Sequence, residues 1–407
     1  AREAVAAFVG AREDDHVVFT RNTTDSFNLL ARALPTGTKV FVFASEHHAA
    51  LLPWGDVLRL PVPHSHDEAL DLLDQALRNH PAEHRLVVAT GASNVTGEHW
   101  PIERIAALAH EHDARFALDA AQVAPHRRVD IDALGVDYVA FSGHKVYAPF
   151  GAGVLVGRSD WLDEAQPYLA GGGATARVGL DETEWTCGPA RHEAGSPNVL
   201  GAVALATACE LITEHEAAII DHEQALRIRL LAGLQQIPGV RVHTLFGGVD
   251  GAPVATITVD GHDSSEVARI LGDDHGIGVR DGKFCAHLLV DDLLSETEQA
   301  EAFGPDWDPQ WTREARDRWG GTDAWTEQAE RGARRGPEQW ARLAQGLARP
   351  IQRQPPGEGR APVQQARLFL GRMRAGPDGF LRPVRRVADG RQDVLSRAKA
   401  AIEQSAR

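Results

Sequence analysis

Asp119 closes the apolar run RFALDA, with Gln122 three residues on, and the next apolar run, DYVAFSG, leads into Ser142, His144 and Lys145. Runs of this kind read as neighbouring parallel strands, whose carboxyl ends open on a common crevice. A carboxylate, an amide, a hydroxyl, an imidazole and a primary amine would therefore converge there. An amine desolvated in such a crevice has a lowered pKa, which suits it both to condense with carbonyls and to act as a base. A lysine facing an acid is what pyridoxal 5'-phosphate asks of a protein. The amine holds the aldehyde as an imine and moves protons, and the carboxylate keeps the pyridine nitrogen protonated so that the ring accepts electrons. Ser-Gly-His-Lys alone is matched as well by a surface lysine after a strand. The Asp119/Gln122 pair one βα unit earlier gives the pattern its specificity.

The elements that must position these groups are legible around them. Residues 17–20 (VVFT), 39–44 (KVFVFA), 85–92 (RLVVATGA), 115–120 (RFALDA), 137–143 (DYVAFSG) and 152–157 (AGVLVG) are short apolar runs that read as buried strands. Helical periods fill 24–34, 69–78 and 102–112 between them. Continuous apolar strands separated by helices predict an α/β fold, a mostly parallel sheet with helices on both faces. A long helical stretch, 201–234, then leads to strands at 240–246 and 253–260 and a helix at 264–271, a smaller α+β domain. The expected division is a large domain over 1–235 and a partial small domain over 236–293. After about residue 295 Trp, Arg, Glu and Gln dominate, and 294–350 reads as a helical appendage. Residues 351–407 read as a Pro/Gly/Gln-rich linker and an uncertain helical tail.

Composition narrows the classes further. At 407 residues the chain is longer than one core usually supports. A formal charge of −15, from 42 Lys and Arg against 57 Asp and Glu, argues against a nucleic-acid partner. No apolar run approaches the length that crosses a bilayer, so no membrane partner is expected. Cys187, Cys209 and Cys285 are odd in number, widely spaced and without metal-ligand pairing, so no metal is expected and a cytoplasmic location fits.

With these motifs in view, residues 1 to about 290 resemble the SUF-type cysteine desulfurases and selenocysteine lyases of the class V aminotransferases. The resemblance implies pyridoxal-phosphate fold type I, with Lys145 as the Schiff-base lysine, Asp119 as pyridinium partner and Gln122 as donor to the ring hydroxyl. It implies that Ser142 and His144 bind the cofactor phosphate together with Thr24, in a stretch, RNTTDSFNLLARAL, that looks like the family's phosphate loop; an N-cap threonine is the plainer role. SEHHAALLPW is close to the family's Glu-His-His-Ala pattern, which would stack His47 over the ring and give it a part in proton transfer. ASNVTGEHWPI would bring Asn94 to the substrate carboxylate or the ring hydroxyl. Gly171 to Gly173 resembles a triple-glycine turn, and in ARHEAGSPN Arg191 and Glu193 are expected to form a structural ion pair. In GIGVRDGKFCAHLL, Cys285 takes the place of the nucleophile that removes sulfur as a persulfide, Arg280 that of a carboxylate-binding arginine, and Arg280 or Lys283 would favour the thiolate. The activity implied is desulfuration of L-cysteine by a homodimer that passes sulfur to an acceptor protein. An aminotransferase, an epimerase or a C–S lyase needs the same shell without the thiol. A degenerate domain fused to a partial ligand-binding module is the non-enzymatic alternative.

The resemblance also has gaps. The family's segment ahead of the phosphate loop is expected to be missing, Leu288 stands where the family has proline, and no arginine-bearing strand follows the cysteine loop. Arg367 in QQARLFLG is a faint candidate for the lost carboxylate clamp. Residues 294–350, with Arg318-Trp319-Gly320-Gly321-Thr322-Asp323-Ala324, resemble instead the antibiotic-recognition domain of thiostrepton-responsive MerR-type activators; a helical appendage with no ligand is the plainer reading.

Overall fold

Strands with both faces apolar need cover on both sides, and the chain supplies it by alternating them with helices. The computed structural model describes residues 1–248 and 250–303 and a short hairpin, 373–375 with 381–383. It begins with α1 (Arg2–Phe8), β1 (Asp15–Thr20), α2 (Thr23–Ala33), β2 (Lys39–Phe43) and the single turn α3 (His48–Leu51). Next come β3 (Val57–Leu60), α4 (His66–Asn79), β4 (Arg85–Thr90), α5 (Ile102–Glu111), β5 (Arg115–Asp119), β6 (Tyr138–Ser142), β7 (Gly153–Arg158) and α6 (Ser159–Glu164). A hairpin, β8 (Thr175–Val178) with β9 (Thr183–Trp185), precedes α7 (Val199–Leu234). Then follow β10 (Val240–His243), β11 (Thr256–Val259), α8 (Ser264–His275), α9 (His287–Leu293) and α10 (Glu296–Phe303). Residues Ala1–Trp307 form one unit. In the other, Asp308–Arg407, the described residues are the antiparallel pair β12 (Met373–Ala375) and β13 (Leu381–Pro383).

The seven-stranded sheet runs β1-β7-β6-β5-β4-β2-β3. Strands β3, β2, β4, β5 and β6 are parallel, and β7 runs against both β6 and β1. Two apolar clusters, one on each face, bury it. Phe41, Phe43, Val87, Phe116, Leu118, Val139 and Phe141 belong to one, and Val40, Val42, Leu86, Val88, Ala117 and Tyr138 to the other. This alternation along each strand is the period-2 signature of a sheet sandwiched between helices.

The six expected large-domain strands are all present. The sequence reading missed β3, a four-residue edge strand interrupted by Arg59, and α1, whose Val5 and Phe8 are buried. The run 240–246 ends as a strand at His243, because the buried Glu98 carboxylate accepts the N–H groups of Leu245, Phe246 and Gly248. Downstream of the cysteine loop the described chain forms α9 and α10. Leu288 is 44% exposed on α9. The Trp-rich stretch beyond residue 303, the linker, Arg367 and most of the tail lie outside the described residues.

Candidate functional site

The carboxyl ends of β2, β4, β5 and β6 lie side by side, and the expected site residues collect there. Asp119, the last residue of β5, is 3% exposed, and its Oδ1 accepts the Ala121 N–H at 2.9 Å. Burial raises its carboxyl above the usual range, while the Lys145 charge and the Ala121 hydrogen bond pull it down. Lys145 is half-buried three residues past β6. Burial lowers its amine below an ordinary lysine; Asp119 opposes this, Arg280 adds to it, and Cys285 opposes it. Charges act on one another strongly only over roughly 10 Å or less. Acid, amine, guanidinium and thiol therefore share one neighbourhood, drawn from three separate segments.

His47 joins them. Burial, followed by the charges of Lys145, His48 and Arg280, lowers its pKa to about 4, so the ring is neutral in ordinary buffers. Its Nδ1 accepts the Ala49 N–H at 3.0 Å as the cap of α3. The neutral ring thus carries its hydrogen on Nε2, where it donates rather than accepts. Gln122 is half-buried in the turn after β5. His144 is exposed, and its pKa is lowered by burial of the ring and by Lys145.

The helix terminus expected to grip an anion is present, with a changed cast. The cap of α2 is Asn22, which accepts the Asp25 N–H at 3.0 Å; Thr24 is not the cap but stands exposed in the first turn. Ser142 is buried and its Oγ lies 2.8 Å from the Thr23 nitrogen and 2.7 Å from Thr23 Oγ1. The hydroxyl therefore fastens the helix terminus to the end of β6. Gly153 makes this approach possible, since a Cβ there would sit 2.6 Å from Asn22 Cα. Gly153→Ala is expected to cost about 1–3 kcal/mol by overpacking. Calorimetry should show a lower melting temperature, and titration should show a weaker hold on any phosphate-bearing ligand.

The cysteine loop is clamped from two sides. Asn94 Nδ2 donates to the Phe284 carbonyl at 2.9 Å, and the His48 N–H donates to the Cys285 carbonyl at 2.8 Å. Phe284 and Cys285 take left-handed φ values of 52° and 57°, uncommon for residues with side chains. Cys285 is exposed. Arg280 is also exposed, its guanidinium 5.9 Å from the Phe284 ring centre. Lys283, by contrast, is 6% exposed and pairs with Asp291 of α9. Cys209 is buried and its thiol is pushed up to about 12 by burial, while Cys187 is exposed on another segment.

Arg191 and Glu193 do not pair with each other. Glu193 accepts from Arg2 at 2.8 Å and from the Phe19 N–H at 2.6 Å, while Arg191 donates to the Ala165 and Thr186 carbonyls. Two residues apart on a tight turn, they point to different neighbours. The triple-glycine turn meets this segment through the Gly195 N–H and the Gly172 carbonyl, 2.8 Å apart. Sequence reasoning also passed over Thr23, the real contact of Ser142, and Glu46, an acid directly beyond β2 that is wholly buried.

These residues fit pyridoxal phosphate. A buried carboxylate and a desolvated amine act on one another, and the first turn of α2 is held on the same strand end. Ser45 Oγ and Glu46 Oε2 are buried in the segment after β2 with no hydrogen-bond partner among the described residues. Among those residues no group of three or more His, Cys, Asp and Glu forms a metal site, and no helix is long and apolar enough to cross a membrane.

Comparisons with known proteins place the chain among one kind of relative. The family model described as Aminotransferase class-V matches residues 1–297. A probable cysteine desulfurase of Vibrio cholerae is 35% identical over 305 residues, 72% of this chain and 74% of that protein. A cysteine desulfurase of Klebsiella pneumoniae is 36% identical over 303 residues, 71% and 73% of the two. Among solved structures, a cysteine desulfurase from Escherichia coli aligns with a TM-score of 0.65 at 31% identity, over 72% of this chain and 75% of its own. One from Thermococcus onnurineus aligns with a TM-score of 0.63 at 32% identity, over the same shares.

Proposed function

This chain belongs to the class V aminotransferases, a family of pyridoxal-phosphate enzymes, and we propose on that footing that it is a cysteine desulfurase that moves the sulfur of L-cysteine onto Cys285. What supports the proposal is that Asp119, Arg280 and Cys285 all act electrostatically on the half-buried Lys145, and that Lys145 and Arg280 act on His47. Cys285 is what favours desulfuration over transamination or epimerisation, since only the first needs a thiol at that place.

When bound, pyridoxal phosphate supplies a ring that takes up the electrons released at the substrate's α-carbon. Lys145 would hold it through Nζ and, with its lowered-pKa amine, would serve as the base for the α-proton. Asp119 would keep a proton at the pyridine nitrogen, Gln122 would donate to the ring hydroxyl, and the neutral His47 would stack over the ring. The first turn of α2 with Thr24, and His144 from the loop after β6, grip the phosphate. Ser142 anchors that helix and thereby serves the same end. Arg280 and Asn94 hold the substrate carboxylate, Asn94 while also tying down Phe284. The Cys285 thiolate bonds to the substrate sulfur as the C–S bond breaks, which leaves alanine and a persulfide. Atoms balance without an added oxidant: one cysteine and one thiol give one alanine and one persulfide.

The reading extends to partners. The exposed Cys285 suits a persulfide handed to an acceptor protein, and exposed Tyr147, Phe150, Leu180 and Leu200 supply apolar surface for a homodimer. The three unpaired cysteines suit the cytoplasm. For residues 294–350 the likeness to an antibiotic-recognition domain rests on the sequence alone.

The test is direct. Loaded with pyridoxal phosphate and given L-cysteine, the protein should form alanine and Cys285-bound sulfur in equal amounts in a single turnover. Formation of the keto acid, or of free sulfide with no sulfur on Cys285, would favour a transaminase or C–S lyase instead.

A further inference from the structure

The proposed chemistry leaves one buried acid unused. Glu46 lies three residues past β2 and is 0% exposed. Its Oε1 accepts the Thr90 N–H at 3.0 Å, and Thr90 is the residue opposite Asp119 in the β4–β5 ladder. Its Oε2 is buried with no hydrogen-bond partner among the described residues. Two buried carboxyl groups linked through Thr90 and acting on one another do not both ionise, because each raises the cost of charging the other. Asp119 has the stronger hold on the negative charge. It accepts the Ala121 N–H and feels the Lys145 ammonium, whereas the charged group acting on Glu46 is Asp119 itself, another anion. Burial and that anion both push Glu46 well above the usual carboxyl range. The other titratable groups around the pair are His47 and His48 on the segment of Glu46, Lys145 and His144 after β6, and Arg280 and Cys285 on the cysteine loop.

We propose that Glu46 is a positioning residue that keeps the proton of a two-carboxyl pair, so that Asp119 remains the anion facing the pyridinium. The neutral acid fills three needs at once. It accepts from Thr90, it adds no second charge to the pocket, and it fixes which of the two acids serves the cofactor. The proposal rests on the cofactor reading above and adds a residue to it.

Infrared spectroscopy tests it first. The wild-type protein at neutral pH should show the carbonyl band of a buried protonated carboxylic acid, with or without cofactor, and Glu46→Gln should lack it. Absence of the band from the wild type would overturn the proposal. Glu46→Gln, neutral and able to accept from Thr90, should bind pyridoxal phosphate as the wild type does and show the same midpoint when its visible absorbance is titrated with base. Glu46→Ala should bind it about tenfold more weakly or worse, since a buried N–H is left unsatisfied. A midpoint displaced by about a unit in Glu46→Gln would mean that the native side chain is charged, and would likewise end the proposal. Glutamine as damaging as alanine would do the same. If the wild type gains no visible band with pyridoxal phosphate, it is the cofactor reading that fails. The infrared band of the cofactor-free chain still decides where the proton sits.

Discussion

Lys145→Ala is expected to abolish the visible absorbance of the cofactor-loaded protein and to lower turnover by at least about a thousandfold, the scale on which a positioned base acts. Both losses follow from one atom. On the proposed reading Nζ both bonds the cofactor and acts as the base, and His47 would be no substitute because its Nδ1 is taken by the Ala49 N–H. Removing the amine also takes away the cation that opposes the buried charge of Asp119, so that carboxyl should rise further. The cofactor then binds more weakly and its ring nitrogen loses a firm counter-ion. Absorbance scans with and without pyridoxal phosphate, beside a steady-state assay for alanine, measure both effects. A visible band that persists in the variant would remove Lys145 from its role.

The second large effect separates the two halves of the reaction. Cys285→Ser should retain the visible band and the affinity for pyridoxal phosphate, yet lose alanine formation by at least about a hundredfold. A hydroxyl at that position has neither the nucleophilicity nor the leaving-group chemistry to carry sulfur. Cys187→Ser should behave as wild type, because the exposed Cys187 lies on none of the segments that carry the proposed site residues. Cys209 gives no rescue, buried as it is with its thiol pushed up to about 12. Mass spectrometry of the peptide that contains Cys285, after one turnover, shows whether sulfur resides there. Alanine released at the wild-type rate by Cys285→Ser would leave a pyridoxal enzyme of another activity.

Much of this was readable in advance, for physical reasons. Strands β2, β4, β5, β6 and β7 are buried on both faces, so their sequences are nearly unbroken apolar runs, and the parallel ones, β2, β4, β5 and β6, end where the site begins. Asp119 announced itself by ending such a run with a charge, and Lys145 by following the end of the next run in Ser142-Gly143-His144-Lys145. What the sequence hid depends on tertiary neighbours. Ser142 and Thr23 are 119 positions apart, and their contact follows from how α2 meets β6. Lys283 reads as a cation near the cysteine, but its partner Asp291 lies on α9, where the family pattern predicts a strand. Glu46 sits in a motif whose histidines drew the eye. Its sign was a lone acid just past an apolar strand, close to the signature of Asp119, which ends one.

The pinning of residues 284 and 285 also bears on traffic. With both carbonyls held by donors from other segments, and with two successive residues in a backbone region that tolerates little change, this stretch is poorly made to swing outward with its load. If Cys285 carries sulfur as proposed, a courier that collects from it would have to come to the doorstep. The rate of hand-over should follow how well that visitor's own reactive arm reaches in, and little else about the host.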